Sequence, residues 1–531
     1  MGNSFTGLLK LLRKPRIGSI MIVSNIQPPH RTPSLRRHHL LTPVRHQLGQ
    51  KRKHIVGMGK IILLRGADVR TPFHSTTVDW CDVAMVTIDM LPDVALLEIF
   101  DFYANTWSGW KEWHTLVHVC QKWRNIVFES PLRLHLQLYC NAGTPVRETL
   151  NVWPPLPIIV SGTDHEKWGV DNIVAALQHK DRICGLYLHN ISGSELERVV
   201  AAMQQPFPAL TGLNLQYKFI EQPPVFPASF LGGSAQALES HRVVRIAFRG
   251  LPNLLLSATR LVSLELWDIP HSGYFSPESM VTSLSVLTKL ESLQFGFESP
   301  QSRPDRKNRR PHPQTLILLP VLTLLMLKGV DDYVEDLVAG IDAPLLDNLT
   351  ISLLHQEILE TPQITQFISR TPKIKAYDEV HMVFSDREVS VRTFGEKLSL
   401  GILCAESDVQ LSSLQQLCSS FIPQALVERV YILEEDFFEP LWQDDVESSQ
   451  WLDLLEPFTN VKGLYISPEF APRIAPALQE LVMEGVTEVL PALQTLFLME
   501  PPLSELVPEG IGQFVVARQL SSLPITVSRW E

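Results

Sequence analysis

Long apolar runs, cysteines and residue groups spaced for catalysis are all scarce in this sequence of 531 residues. The longest apolar segment, residues 316–327, is interrupted by Pro320 and Thr323 and is shorter than the roughly 18 residues that a membrane span needs. Residues 17–23 lack a clear cleavage site for a signal peptidase and have basic residues on both sides. We therefore expect a soluble chain without a secretory signal.

The few cysteines show no C-x-x-C motif and no spacing typical of zinc ligands. They are Cys81, Cys120, Cys140, Cys184, Cys404 and Cys418. This usage is typical of reduced thiols packed as small apolar side chains inside a cell, and predicts a cytoplasmic or nuclear protein.

No G-x-S-x-G motif, H-E-x-x-H motif or glycine-rich phosphate loop occurs in the sequence. His114 and His118 have the spacing of two metal ligands on a helix, but no third ligand is recognisable, and a solvated polar face explains both. We therefore predict no enzymatic activity, no cofactor, no metal site and no nucleic-acid partner.

Acidic residues are almost absent from the first 80 residues. This segment carries 14 Lys and Arg against only Asp68 and Asp79, whereas the other 451 residues carry 32 Lys and Arg and 55 Asp and Glu. Such an asymmetry indicates a tail attached to a folded body of different character. Because the tail has only short apolar runs, we expect residues 1–85 to be mostly disordered.

Several interpretations of the basic tail stay open beside a plain solvated extension. The first six residues fit the myristoylation pattern, so a membrane partner is expected only if Gly2 is acylated. The arginine-rich composition also fits an organelle transit peptide. Lys51-Arg52-Lys53 is a minimal cluster of the nuclear-import type.

The segment that begins near residue 88 has a helical pattern. Pro92 and Asp93 suit a helix entry, and Leu96, Phe100 and Tyr103 recur at helical spacing. After a loop rich in tryptophan, a second amphipathic helix is predicted from Glu112 to Phe128.

Leu-Pro-Asp-x-x-Leu-Leu-Glu-Ile-Phe at residues 91–100, followed by the leucine, valine, cysteine and tryptophan of residues 116–127, resembles the F-box. The resemblance implies a small helical module that binds the Skp-type adaptor of a cullin–RING ubiquitin ligase. The positions it assigns to adaptor contact or to the core of the module are Leu91, Pro92, Ile99, Phe100, Leu116, Val119, Cys120, Trp123 and Ile126. The connection at residues 104–113 is longer and more aromatic than the family's usual one.

From residue 183 onward the pattern apolar-x-x-Leu-x-Leu recurs. Its central positions are Leu186, Leu213, His241 in a degenerate copy, Leu264, Leu293, Leu325, Leu349, Val430, Leu464 and Leu496. The intervals between the first seven lie between 23 and 32 residues, at or just beyond the length of a leucine-rich repeat. Weak copies near Ile374 and Leu398 are needed to bridge the interval from Ile351 to Val427.

An F-box followed by such repeats resembles the F-box/leucine-rich-repeat proteins, notably a group in mushroom-forming fungi. We therefore predict an α/β chain: a basic disordered tail over 1–85, a small helical F-box module over 86–135, a connector over 136–180, and an irregular leucine-rich-repeat solenoid over 181–520. An unrelated α/β domain is the alternative for the last segment.

The residue between the two leucines of each Leu-x-Leu is expected to face outward on the concave side of the solenoid, since side chains alternate along a strand. Aromatic residues are frequent at this position, and they commonly anchor interfaces. The candidate substrate contacts are Tyr187, Asn214, Glu265, Tyr431, Tyr465 and Phe497.

Two function classes follow. The first is a substrate-recruiting subunit of a Skp–cullin–RING ubiquitin ligase, which would bind the adaptor through the F-box and an unknown protein substrate through the solenoid. The second is a leucine-rich scaffold whose helical hairpin only caps the solenoid. A basic loop at residues 303–310 and an acidic stretch at 434–447 are either solvated loops or contacts for a charged partner.

Overall fold

The computed structural model describes residues 91–106, 116, 119–129, 136–143, 145–152, 155–162, 169–218, 224–304, 316–354, 361–375, 377–404, 407–435, 447–484, 489–499 and 508–530. The basic tail, the two histidines of the possible metal pair and most of both charged loops lie outside these residues. Within them, no helix is both long and apolar enough to cross a membrane.

The described chain alternates short strands with short helices after an initial pair of helices. The helices are α1 (Asp93–Thr106), α2 (Gln121–Glu129), α3 (Val146–Val152), α4 (Val170–Leu177), α5 (Gly193–Ala202), α6 (Leu251–Leu255), α7 (Pro277–Leu284), α8 (Asp331–Ala339), α9 (Pro362–Arg370), α10 (Ser407–Phe421), α11 (Ser448–Leu455), α12 (Ala471–Glu484) and α13 (Glu509–Leu520). The strands are β1 (Leu136–Tyr139), β2 (Ile158–Gly162), β3 (Ile183–Ile191), β4 (Gly212–Tyr217), β5 (Ser240–Val244), β6 (Ser263–Ile269), β7 (Ser292–Phe297), β8 (Ile317–Leu318), β9 (Leu324–Gly329), β10 (Ile341–Asp342), β11 (Asn348–Leu354), β12 (Glu379–Phe384), β13 (Glu388–Thr393), β14 (Leu398–Leu403), β15 (Arg429–Glu434), β16 (Gly463–Ile466), β17 (Thr495–Met499) and β18 (Thr526–Trp530).

One continuous sheet organises the described chain, with the strand order β1-β2-β3-β4-β5-β6-β7-β9-β11-β14-β13-β12-β15-β16-β17-β18. The short strands β8 and β10 form a separate pair. Most neighbours in the long sheet are parallel and follow one another along the chain, as expected where each strand returns through a crossover segment.

The strands pair with the repeat positions aligned. Leu186 pairs with Leu213, which pairs in turn with His241 of the degenerate copy. The same alignment continues through Leu264 and Leu293. The prediction of a repeating leucine-rich solenoid is therefore confirmed by the sheet register, since residues one repeat apart occupy equivalent positions.

The aligned leucines form the core between the sheet and the helices. Leu186, Leu264, Leu325 and Leu464 are all fully buried, and each such side chain contributes about 1.5–3 kcal/mol relative to exposure. Successive helices pack side by side from α3 to α5, from α6 to α9 and from α10 to α13. Among the described residues, helices therefore line one face of the sheet, and the other face, called the open face below, carries no helical layer.

An antiparallel meander interrupts the repeats in the middle of the sheet. Strand β12 pairs in parallel with β15, and the chain then returns through β13 and β14, so that Leu349 of β11 pairs with Leu398. The weak copy expected near Leu398 pairs with Leu349 in parallel register, but the segment after Ile374 connects to it through the antiparallel strand β13 and not through a crossover. Ile374 lies in a 3₁₀ turn, and Leu398 starts the third strand of the meander.

The sheet also extends beyond both ends of the segment predicted as solenoid. Strands β1 and β2 lie within residues 136–180, the predicted connector, and β18 lies beyond residue 520. A search for leucines misses β2 and β18, because Ile158 and Val160 occupy the buried positions of β2 and Val527 occupies the equivalent position of β18.

The second helix of the N-terminal pair begins later than predicted. The Sγ atom of Cys120 accepts the backbone N–H of Trp123 at 3.5 Å, and its carbonyl accepts the N–H of Arg124 at 3.1 Å. Cys120 thus occupies the cap position ahead of α2. The prediction of one uninterrupted helix from Glu112 to Phe128 is wrong at Val119 and Cys120, which are not helical.

Candidate protein-binding surfaces

Contacts between α1 and α2 hold the N-terminal helical module together. The rings of Phe100 and Trp123 pack with their centroids 4.7 Å apart. The Nζ atom of Lys122 donates to the carbonyl of Leu91 at 3.2 Å and lies 3.5 Å from a carboxylate oxygen of Asp93. The first turn of α2 therefore lies beside the first turn of α1.

The residues predicted to bind an adaptor divide by exposure into two groups. Phe100, Leu116 and Ile126 are buried, Leu91 and Trp123 are partly buried, and these five contribute to the packing of the module; Cys120 is partly buried as the cap of α2. By contrast, Pro92, Ile99 and Val119 are exposed. An exposed isoleucine and valine on so small a module form apolar surface that a partner could cover.

The residues between the paired leucines form one row across the open face. Each of these side chains is half-buried, as expected for a sheet face without a helical layer. From β3 to β11 the row consists of Tyr187, Asn214, Arg242, Glu265, Gln294, Met326 and Thr350, and from β15 to β17 it consists of Tyr431, Tyr465 and Phe497.

Four rings stack along the second part of this row, and we call them the aromatic ladder. The centroid of His381 in β12 lies 4.4 Å from that of Tyr431 in β15. Tyr431 and Tyr465 are 4.0 Å apart with planes inclined by 10°, and Tyr465 and Phe497 are 4.2 Å apart with planes inclined by 3°. The structure thus brings together three of the predicted substrate contacts.

Sheet geometry explains why the ladder forms. Neighbouring strands lie about 4.8 Å apart, close to the stacking distance of aromatic rings. Because Tyr431 pairs with Tyr465 and Tyr465 with Phe497, their rings meet face to face. Gly463 supplies space beside them, since a Cβ atom there would lie 3.2 Å from the ring of Tyr465.

Charged groups surround the histidine end of the ladder. The Nε2 atom of His381 lies 2.8 Å from the Oε1 atom of Glu379, and the guanidinium of Arg429 lies 3.0 Å from the Oε2 atom of the same carboxylate. Burial, together with the hydrogen bond between the hydroxyls of Tyr431 and Tyr465, raises the pKa of Tyr431 to about 12. Tyr431 is therefore a neutral hydrogen-bonding group at physiological pH.

A fifth ring crosses the ladder. The indole of Trp530 in β18 lies 5.8 Å from the ring of Tyr431 at an interplanar angle of 75°, and 5.6 Å from the ring of Tyr465 at 85°. The edges of both tyrosine rings thus point toward the indole. In this structure Trp530 covers part of the surface that the sequence predicts to bind a substrate.

The predicted contacts in the first part of the row are engaged within the chain. The side chain of Tyr187 lies over Gly185 and Gly212, where a Cβ atom would come within 2.7 Å and 3.2 Å of its ring, and burial raises the pKa of Tyr187. Glu265 forms an ion pair with Arg242 at 2.7 Å. Tyr187 therefore lies along the sheet, and the charge of Glu265 is compensated.

Asn214, between Tyr187 and Arg242 in the row, has a half-buried side chain. Its Oδ1 atom is enclosed without a hydrogen-bond partner among the described residues. The structure therefore leaves this amide with an unused acceptor at the centre of the early repeats.

A second charged cluster lies at the carboxyl ends of the early strands. Asp268 is 3.3 Å from the guanidinium of Arg245 and 3.1 Å from the ammonium of Lys328. Both Asp268 and Arg245 have positive φ, a conformation that costs non-glycine residues free energy. The sequence analysis did not identify this cluster, because its residues follow the leucine pattern rather than lying within it.

The sequence analysis did not identify His381 and Trp530 as residues of the open face, although the sequence around each carries a weak signal. His381 belongs to the meander, which is indicated by the alternation of Val389 and Val391 between two short turns. Trp530 is the last residue of β18, a strand in which valine replaces the central leucine.

The described cysteines are free thiols, and all except Cys120 are buried. Burial raises the pKa of Cys140 and Cys418 to about 12, so that these thiols stay protonated. Within the described ranges, no group of three or more His, Cys, Asp or Glu side chains is placed to hold a metal ion.

No protein-family model matches the sequence, and no curated protein matches it. Among solved structures, the chain is similar to the leucine-rich repeat-containing protein LegL7 from Legionella pneumophila, with 13% sequence identity and a TM-score of 0.27, over 73% of this chain and 98% of that chain. The leucine-rich solenoid fold is shown by the register and burial of the strands of this chain.

Proposed function

We propose that this chain is the substrate-recruiting subunit of a Skp–cullin–RING ubiquitin ligase. The helical module would bind the Skp-type adaptor, and the open face of the solenoid would bind a protein substrate. The chain itself would carry out no chemistry, and its partners would supply the ubiquitin transfer.

The exposure of Ile99 and Val119 carries this proposal. Their side chains are 40% and 55% exposed, whereas Phe100 in α1 and Ile126 in α2 are buried. An apolar residue that serves only the packing of a module is expected to be buried inside it, whereas exposed apolar side chains on a small module are expected of a binding surface.

The test is binding of a purified Skp-type adaptor by full-length Val119→Ser. We expect binding to weaken about fivefold, because burial of the exposed half of a valine side chain contributes about 1 kcal/mol. Val516→Ser is the matched control, because Val516 in α13 is also 55% exposed but lies at the other end of the solenoid. Equal adaptor binding by wild type and Val119→Ser would contradict the proposal.

Trp123→Ala is a less informative variant than Val119→Ser. The ring of Trp123 packs against Phe100, so that its removal leaves a cavity within the module as well as altering its surface. Loss of adaptor binding by this variant would therefore not separate a contact from a folding defect. For the same reason Pro92→Ala, at an exposed position, is preferable to Leu91→Ala.

A plain scaffold whose helical pair caps the solenoid is the second candidate. The observation that favours it is the continuous apolar core, in which Leu96, Phe100 and Val127 of the helical pair join Leu138 of the first strand. In that case Val119→Ser and Val516→Ser would both leave all partners bound, and no Skp-type adaptor would co-purify with the chain.

A further inference from the structure

The strand that carries Trp530 is weakly held compared with its neighbours. Strand β18 pairs only with β17 and forms the last strand of the sheet. Val527 occupies the position at which Val430, Leu464 and Leu496 are fully buried in the preceding strands, yet it is 40% exposed. The strand therefore contributes little to the core.

The indole of Trp530 is placed with its ring face over the ladder but with its polar atom unsatisfied. Its Nε1 atom is enclosed without a hydrogen-bond acceptor among the described residues. An enclosed donor without a partner raises the free energy of the state that contains it. Trp530 thus fits the ladder by shape and aromatic contact, at the expense of a hydrogen bond to water.

The ladder has the chemistry to hold such a ring. The hydrogen-bearing edges of Tyr431 and Tyr465 carry partial positive charge, and they point toward the negative face of the indole. Because the rings of the ladder stack on one another, their faces are occupied and their edges are the surface offered to a partner. A planar ring lying across these edges can form edge-to-face contacts with both tyrosines.

We propose that the aromatic ladder is a binding site for a planar aromatic side chain on an extended segment of a partner protein, and that Trp530 fills this site in the free chain. The partner's ring displaces Trp530 and lies across the edges of Tyr431 and Tyr465. This inference deepens the substrate-binding part of the proposed function and rests on it, but its test requires neither the adaptor nor the ligase.

The test measures binding of N-acetyl-L-tryptophanamide to the full-length chain by ligand-detected NMR. Trp530→Ala is expected to bind this probe at least tenfold more tightly than wild type, because the site is vacated. N-acetyl-L-leucinamide, which has no planar ring, is expected to show no such gain. Adding Tyr465→Ala to Trp530→Ala is expected to abolish the gain.

Trp267→Ala is the matched control, because Trp267 is another half-buried tryptophan on the strands of the same sheet, away from the ladder. Trp530→Leu serves if the alanine variant does not fold, since it keeps apolar volume on β18, and the same gain is expected. Equal binding of the probe by wild type and the Trp530 variant overturns the inference, and so does an equal gain in Trp267→Ala. Either outcome leaves the adaptor test of Val119→Ser unaffected.

Discussion

The Oε1 atom of Glu335 accepts the backbone N–H of Ile364 at 2.8 Å, although the two residues belong to successive helices, α8 and α9. The Oε2 atom of the same carboxylate accepts the N–H of Gln363 at 3.0 Å. Thr361, at the usual capping position of α9, makes no side-chain capping bond. A neighbouring repeat therefore supplies the cap that the helix lacks in its own sequence.

Replacing Glu335 by alanine is expected to destabilise the solenoid by about 1–3 kcal/mol, because one buried and one partly buried N–H group lose their acceptor. The free energy of unfolding in urea measures the effect. Glu278→Ala is the control, since Glu278 is exposed in the first turn of α7 and its loss is expected to cost less than about 0.5 kcal/mol. Equal costs for the two variants would rule out the capping role.

His241→Leu is expected to stabilise the fold by about 1–3 kcal/mol. The side chain is fully buried between Leu213 and Leu264, and neither of its ring nitrogens has a partner among the described residues. Leucine restores the residue found at this position in both neighbouring repeats. Urea unfolding at pH 7 measures the difference, and a loss of stability would show that the imidazole makes a favourable contact.

The same histidine is expected to make the fold sensitive to acid. Burial lowers the pKa of His241 to about 4, so that between about pH 6.5 and pH 4 the unfolded chain binds a proton that the folded chain excludes. Stability is therefore lost as the pH falls through this range, by roughly 2 kcal/mol between pH 7 and pH 5. His241→Leu should lack this part of the loss, whereas His271→Leu, at an exposed position, should retain it.

Ser522→Gly is expected to stabilise the last repeat by about 0.5–1 kcal/mol. Ser522 follows the end of α13 with a φ of 62°, a left-handed conformation that glycine adopts without steric cost. Ser521→Gly is the matched control, because Ser521 has a φ of −84° and donates its hydroxyl to the carbonyl of Ala517. Thermal unfolding should therefore shift upward for the first variant and downward for the second.

Tyr431→Ala combined with Tyr465→Ala is expected to lose the protein substrate and to retain the Skp-type adaptor. The two rings form the centre of the aromatic ladder, far in sequence from the helical module. Quantitative mass spectrometry of co-purified proteins measures both outcomes. Met326→Ala, in the same row but outside the ladder, is the control. Retention of every wild-type partner by the double variant would place the substrate elsewhere.

The spacing of the recurring pattern apolar-x-x-Leu-x-Leu was sufficient to predict which side chains of the repeats face the core and which face outward. It aligned Tyr431, Tyr465 and Phe497 in one row, because residues at equivalent repeat positions become neighbours across parallel strands. It could not predict that His381 joins this row, because the repeat pattern assumes that every strand is parallel to the one before it. Where the chain reverses through two tight turns, the neighbour of a strand is decided by the hairpins and not by the period.

In the helical module, the sequence did not predict where the second helix begins. The apolar stripe predicted one helix because Leu116, Cys120 and Trp123 have helical spacing. That spacing does not require one continuous helix through Cys120, and the Sγ atom of Cys120 is not among the usual capping groups. Whether the exposed valine beside it contacts an adaptor depends on a second protein, about which this sequence carries no direct information.

The meander has a consequence for the order in which the chain can fold during synthesis. Strands β1 to β7, β9 and β11 can be added to the growing sheet one after another as they emerge. The next neighbour of β11 is β14, so the edge formed by β11 has no partner until the chain has been made as far as Leu403. We expect a nascent chain halted between β11 and β14 to expose this edge and to aggregate more readily than one halted after β14, because an unpaired parallel edge is a template for pairing with other chains.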